Sequence, residues 1–110
     1  MDTITVEQLR ERMLRGDELC LINVLPRKSF DKQHIPGSQS VSQYDDTFLD
    51  RLEDFVEDEA TPVVVYCNSE SCNASTLAAN KLAVAGYTAV YELQGGLATW
   101  RSAGLPVASR

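Results

Sequence analysis

Two hydrophobic rhythms alternate along this chain. Leu19-Cys20-Leu21-Ile22-Asn23-Val24-Leu25 and Val63-Val64-Val65-Tyr66 are apolar runs of strand length. Strands of this kind are covered on both faces, as in a parallel sheet. Helical spacing separates them. Val6, Leu9, Met13 and Leu14 follow Thr5-Val6-Glu7-Gln8, which reads as a capping box, and Gly16 is a helix stop. Arg27 to His34 predicts a short helix after Pro26, Ile35-Pro36-Gly37 a turn, and Gln39 to Ser42 a weak strand. Asp45 and Asp46 open a helix with Phe48, Leu49, Leu52, Phe55 and Val56 on one face. Ala74 to Ala85 is a helix of small side chains suited to lying close on a sheet, and Gly86 ends it. Tyr87 to Leu93 predicts a further strand. Gly95-Gly96 introduces a last helix through Trp100, and Gly104 and Pro106 close the pattern.

Strands and helices in strict alternation predict an α/β domain with a mainly parallel central sheet, helices on both faces and right-handed crossovers. With 110 residues the chain fits one such domain. Ligands in such sheets bind outside the carboxyl ends of the strands.

Composition narrows the function classes. The net charge of -6 comes with no Lys/Arg cluster, which argues against nucleic acid or an anionic membrane surface as partner. No apolar run approaches the ~20 residues of a membrane span, and Met1 to Thr5 lacks a signal-peptide pattern. Three cysteines, Cys20, Cys67 and Cys72, are too few for a disulfide scaffold, so a cytoplasmic, reducing location is expected. His34 is the only histidine, so no zinc site and no cofactor is expected. It stands just before the Ile35-Pro36-Gly37 turn and reads as structural.

The chemistry points to Cys67. It stands where the Val63–Tyr66 strand runs through a polar loop into the Ala74 helix. The unpaired N–H groups of a helix's first turn favour thiolate, the nucleophilic form of cysteine. Cys67 is thus a candidate covalent catalyst, set against the plain alternative of a small buried residue at a strand end. Cys72 either resolves an oxidised or persulfidated Cys67 or shapes the loop, and Cys20 belongs to the core.

Three stretches in order resemble a rhodanese-type domain. Leu21-Ile22-Asn23-Val24 with Phe30 and His34-Ile35-Pro36-Gly37-Ser38 is similar to the family's first signature. Val63-Val64-Val65-Tyr66-Cys67 resembles its active-site segment. Leu93-Gln94-Gly95-Gly96-Leu97-Ala98-Thr99-Trp100, followed by Gly104-Leu105-Pro106-Val107, resembles its last signature. The resemblance implies a single rhodanese-like domain over residues 1–110 and a sulfurtransferase activity. Cys67 would carry sulfane sulfur as a persulfide, cradled by the loop residues Asn68, Ser69, Glu70, Ser71, Cys72 and Asn73. The partners implied are a small sulfur donor and a thiol, cyanide or protein acceptor.

Two departures bear on substrate. The family's frequent Asp-Val-Arg is Asn23-Val24-Leu25 here, and the usual basic residue five positions after the cysteine is Cys72. Between Arg51 and Lys81 there is no Lys or Arg, and the loop appears about two residues longer than usual. Arg27, Lys28 and Arg101 are the cations that could fold in. Phosphatase or arsenate chemistry needs a guanidinium to hold a tetrahedral oxyanion, and this loop has none. A non-catalytic or redox-sensing interaction module stands as the alternative to sulfur transfer.

Overall fold

The computed structural model describes residues 2–69 and 71–110. Val63-Val64-Val65-Tyr66 forms the middle strand of a five-stranded sheet. The strands are β1 (Asp2–Ile4), β2 (Cys20–Asn23), β3 (Gln39–Ser40), β4 (Val63–Tyr66) and β5 (Val90–Leu93), in the order β1-β5-β4-β2-β3. Every pairing is parallel. The helices are α1 (Val6–Arg15), α2 (Arg27–Lys32), α3 (Phe48–Leu52), α4 (Ala74–Val84) and α5 (Gly96–Ser102).

Side chains of β4 point alternately to two cores, as strand geometry requires. Val63 and Val65 pack with Phe48 and Leu52 of α3 and with Ala78, Ala79 and Leu82 of α4. Val64 and Tyr66 pack with Leu9 of α1 and with Leu97 and Trp100 of α5. All four β4 residues are fully buried, which explains why the strand carries no polar alternation. The expected parallel sheet with helices on both faces is therefore observed.

Local boundaries follow local chemistry. Thr5 and Gln8 form the reciprocal capping box of α1, and Gly16 closes the helix in the left-handed conformation at φ 74°. The helix expected from Asp45 to Val56 is much shorter, since only Phe48–Leu52 is α-helical. Past it the chain tightens, with Asp54 N–H donating to Arg51 and Phe55 N–H to Leu52. Glu53, Asp54, Glu57, Asp58 and Glu59 follow, and carboxylates at a helix C-terminus oppose its dipole. Phe55 ends up exposed, while Phe48, Leu52 and Val56 are buried. The edge strand β1 has no counterpart in the hydrophobic pattern. It is three residues long, buries only Ile4, and forms by pairing with Tyr91, Glu92 and Leu93 of β5.

The turn after α2 is fastened from the centre of the sheet. The buried Tyr66 hydroxyl accepts the Ile35 N–H at 3.0 Å and shares a 2.8 Å hydrogen bond with Ser38 Oγ. His34 is structural as expected. Its ring stacks on Phe30 with centroids 3.8 Å apart, its Nδ1 lies 2.7 Å from Phe30 O, and its backbone pairs with Ala108. Tyr66→Phe removes one oxygen and strands the buried Ile35 N–H. Thermal or urea unfolding of that variant should show a loss of about 1–3 kcal/mol.

Candidate active site

Cys67 follows the last residue of β4 at the carboxyl end of the sheet, and α4 starts at Ala74. Two hydrogen bonds from α5 hold the backbone there. Leu97 N–H donates to Cys67 O and Ala98 N–H to Asn68 O, both at 2.8 Å. The first-turn N–H groups of α5 are thus satisfied by the loop rather than by a side-chain cap. Glycine makes this approach possible. A Cβ on Gly96 would stand 2.2 Å from Cys67 O, and one on Gly95 would stand 1.8 Å from Thr99 Oγ1. Both glycines also have positive φ, 74° at Gly95 and 58° at Gly96.

The Cys67 side chain is 2% exposed, and its sulfur is surrounded by oxygen. Cys72 O lies 3.5 Å from Sγ, Ser75 Oγ 3.7 Å and Ser69 O 3.8 Å. These are acceptors for a protonated thiol. Burial is the largest influence and pushes the thiol above its usual range, and the adjoining Cys72 side chain adds to this. The N–H and hydroxyl of Ser75, in the first turn of α4, act in the opposite direction but do not prevail. Of the first turn of α4, Ser75 is the residue that acts to favour thiolate, and burial outweighs it.

A cleft of about 170 Å³ adjoins the sulfur, lined by Cys67, Ser69, Cys72, Ser75, Glu92 and Gly96 among others. Its charged lining comes from β5. Glu92 Oε1 accepts hydrogen bonds from Ser75 Oγ at 3.0 Å and Thr76 Oγ1 at 2.6 Å. Ser75 therefore links the sulfur to a carboxylate. Its hydroxyl has a single proton. With that proton on Glu92, the oxygen can only accept from the Cys67 thiol, and the hydroxyl must turn before it can stabilise a thiolate.

The loop residues anticipated around Cys67 separate into groups. Ser69 and Cys72 line its cleft. Cys72 is half-buried, and its N–H donates to Ser69 O at 3.1 Å. Asn68 faces a second cleft, lined also by Ser29, Lys32, Gln33 and Arg101. Ser71 and Asn73 are exposed, with Ser71 Oγ 3.0 Å from Ser69 Oγ. Glu70 lies outside the described residues. Among the described residues no Lys or Arg lines the Cys67 cleft. Arg27 pairs with Asp31, and Arg101 hydrogen-bonds Gln33 beside the second cleft. Cys20 is buried in the core, its thiol pushed up to about 11 by burial.

Sequence reasoning did not find Ser75, Thr76 or Glu92. The available signal was Glu92 itself, a carboxylate inside the otherwise apolar Val90-Tyr91-Glu92-Leu93 at the end of a strand.

The family model for the rhodanese-like domain matches residues 5–103. The adenylyltransferase and sulfurtransferase UBA4 of Candida albicans is 39% identical over 85 residues, which are 73% of this chain and 19% of that protein. The thiosulfate sulfurtransferase GlpE of Ectopseudomonas mendocina is 32% identical over 101 residues, covering 90% of this chain and 84% of GlpE. A crystal structure of the Alr3790 protein from Anabaena superposes with a TM-score of 0.85 at 25% identity, covering 96% of this chain and 91% of that one. The chain spans from 19% to 51% of the length of the first curated relatives it matches.

A raised thiol pKa has a direct kinetic signature. Iodoacetamide reacts with the thiolate, so the modification rate of Cys67 should climb with pH and inflect above the ordinary cysteine value of about 8.5. Peptide mapping of the alkylated protein across pH checks this. An inflection at or below that value would mean that the α4 terminus overrides burial.

Proposed function

Because the chain belongs to the rhodanese-like domain family, we propose that it is a sulfurtransferase whose carrier is a persulfide on Cys67. The observation that carries this reading is a cysteine at the carboxyl end of the central strand, its sulfur bordering a small cleft. Relatives named as sulfurtransferases support the general role.

The chemistry runs in two displacements. The Cys67 thiolate attacks the outer sulfur of a donor R–S–SH, and the electrons of the donor's S–S bond leave with RS⁻, which takes up the proton Cys67 gave up. An acceptor thiolate then attacks the terminal sulfur of Cys67–S–SH, and Cys67 leaves as thiolate. Cyanide as acceptor would leave as thiocyanate. The site provides the nucleophile, Ser75 as a hydroxyl within reach of it, and the backbone of 68–69 and 71–73 as the wall of the loop. Ser69 and Cys72 are the loop residues positioned to touch a substrate in the cleft. Asn68 serves through its carbonyl, which anchors α5. The donor and acceptor are a small sulfur compound and a thiol, cyanide or protein thiol. A cytoplasmic setting would keep Cys20, Cys67 and Cys72 as the free thiols seen here.

A second reading has one observation in its favour. With Cys67 only 2% exposed and no cation lining its cleft among the described residues, the domain can instead act as a non-catalytic or redox-sensing module. Mass spectrometry separates the readings. After treatment with a sulfane-sulfur donor, the peptide containing Cys67 should gain the mass of one sulfur. Cys67→Ser should abolish the gain, because a hydroxyl is a far poorer nucleophile near neutral pH. Cys20→Ser should retain it. No gain with any donor would favour the module.

A further inference from the structure

The Cys67 cleft carries an unusual charge for a site that handles sulfur anions. Glu92 projects from β5 toward α4, and the hydroxyls of Ser75 and Thr76 hold its Oε1. Among the described residues it is the one charged side chain lining the cleft. Cationic side chains line other clefts. Lys32 and Arg101 line the separate cleft against Asn68, and Arg12 and Arg15 line a pocket with Tyr91 and Gln8. Tyr91 packs into the opposite core, so that pocket lies across the sheet from Glu92.

A fixed carboxylate beside a buried nucleophile acts on whatever approaches that nucleophile. It attracts a cation, repels an anion and leaves a neutral molecule largely unaffected. The two hydroxyl donors keep it in place. We propose, on the sulfur-transfer reading of Cys67, that Glu92 is a specificity-determining residue of this cleft. It selects sulfur donors and acceptors that carry a protonated amine near the reacting sulfur, such as aminothiol persulfides. It disfavours dianions such as thiosulfate.

Charged methanethiosulfonates test this without requiring turnover. In each case the thiolate attacks the reagent's sulfenyl sulfur and methanesulfinate leaves, so the reagents differ in the charge they bring. Rates at Cys67 are read by peptide mass mapping with the aminoethyl (cationic), methyl (neutral) and sulfonatoethyl (anionic) reagents. Wild type should favour the cation over the anion at low salt. Glu92→Gln, which keeps an oxygen for Ser75 and Thr76, should lower the cation-to-anion ratio about tenfold. The neutral reagent corrects for any change in thiol ionisation. Raising salt to about 1 M, where the screening length is ~3 Å, should also draw the wild-type ratio toward that of the variant. A wild-type ratio near one at low salt overturns the proposal without any variant, and so does an unchanged ratio in Glu92→Gln. Loading of Cys67 by a neutral persulfide is followed in parallel. Charge preference without loading overturns the transfer reading and keeps Glu92 as the selector of charge. Loading without preference overturns the role of Glu92 alone.

Discussion

The contact on which this site depends is the meeting of α5 with the loop after β4. The N–H groups of Leu97 and Ala98 donate to the carbonyls of Cys67 and Asn68, and Gly96 lets the two backbones approach. This one contact meets needs on both sides. The first turn of α5 has N–H groups without helical partners, and the strand end has carbonyls past the reach of the sheet ladder. Pairing them fixes the backbone of Cys67 while leaving its side chain directed at α4. The anchor is reinforced from below, because Leu97 and Trp100 of α5 pack in the same core as Val64 and Tyr66 of β4.

Around the sulfur, opposing influences are nearly matched in kind. Burial and the neighbouring Cys72 favour the thiol, while Ser75, at the start of α4, favours the thiolate. The balance raises the Cys67 thiol above its usual range, and oxygens wall its sulfur. Such a nucleophile is quiet until its surroundings rearrange or a proton acceptor takes its hydrogen. The Ser75–Glu92 link supplies a hydroxyl whose single proton can serve either the carboxylate or the sulfur.

Much of this was legible in the sequence because it depends on runs and spacings. The unbroken Val63-Val64-Val65-Tyr66 announced a strand covered on both faces, and the small residues of Ala74-Ser75-Thr76-Leu77-Ala78-Ala79 announced a close-packed helix after it. Together they placed Cys67 at a strand end. The acidic helix was overestimated because apolar periodicity from Phe48 to Val56 persists past the point where clustered carboxylates stop the helix at Leu52. The strand Asp2–Ile4 was not legible, since three residues show no rhythm and it exists only by pairing with β5. Glu92 was hidden for a related reason. Its place against Ser75 follows from which strands are neighbours and from side-chain alternation along β5, which the order β1-β5-β4-β2-β3 supplies and the linear chain does not. The Tyr66 hydroxyl, which fastens the Ile35–Ser38 turn across 28 or more positions, is invisible for the same reason.

The central claim is that a backbone contact through Gly96 positions Cys67 for sulfur transfer. Gly96→Ala tests it most directly, because a Cβ there collides with the Cys67 carbonyl and sits at positive φ. The measurement is the rate at which Cys67 gains one sulfur from a neutral persulfide, read by mass, at a temperature where circular dichroism shows the variant folded. The cost in stability should be roughly 2–4 kcal/mol. The loading rate of the folded variant should fall by about tenfold or more, as a displacement near 1 Å at a reacting centre implies. A folded Gly96→Ala protein that loads Cys67 as fast as wild type would contradict the account.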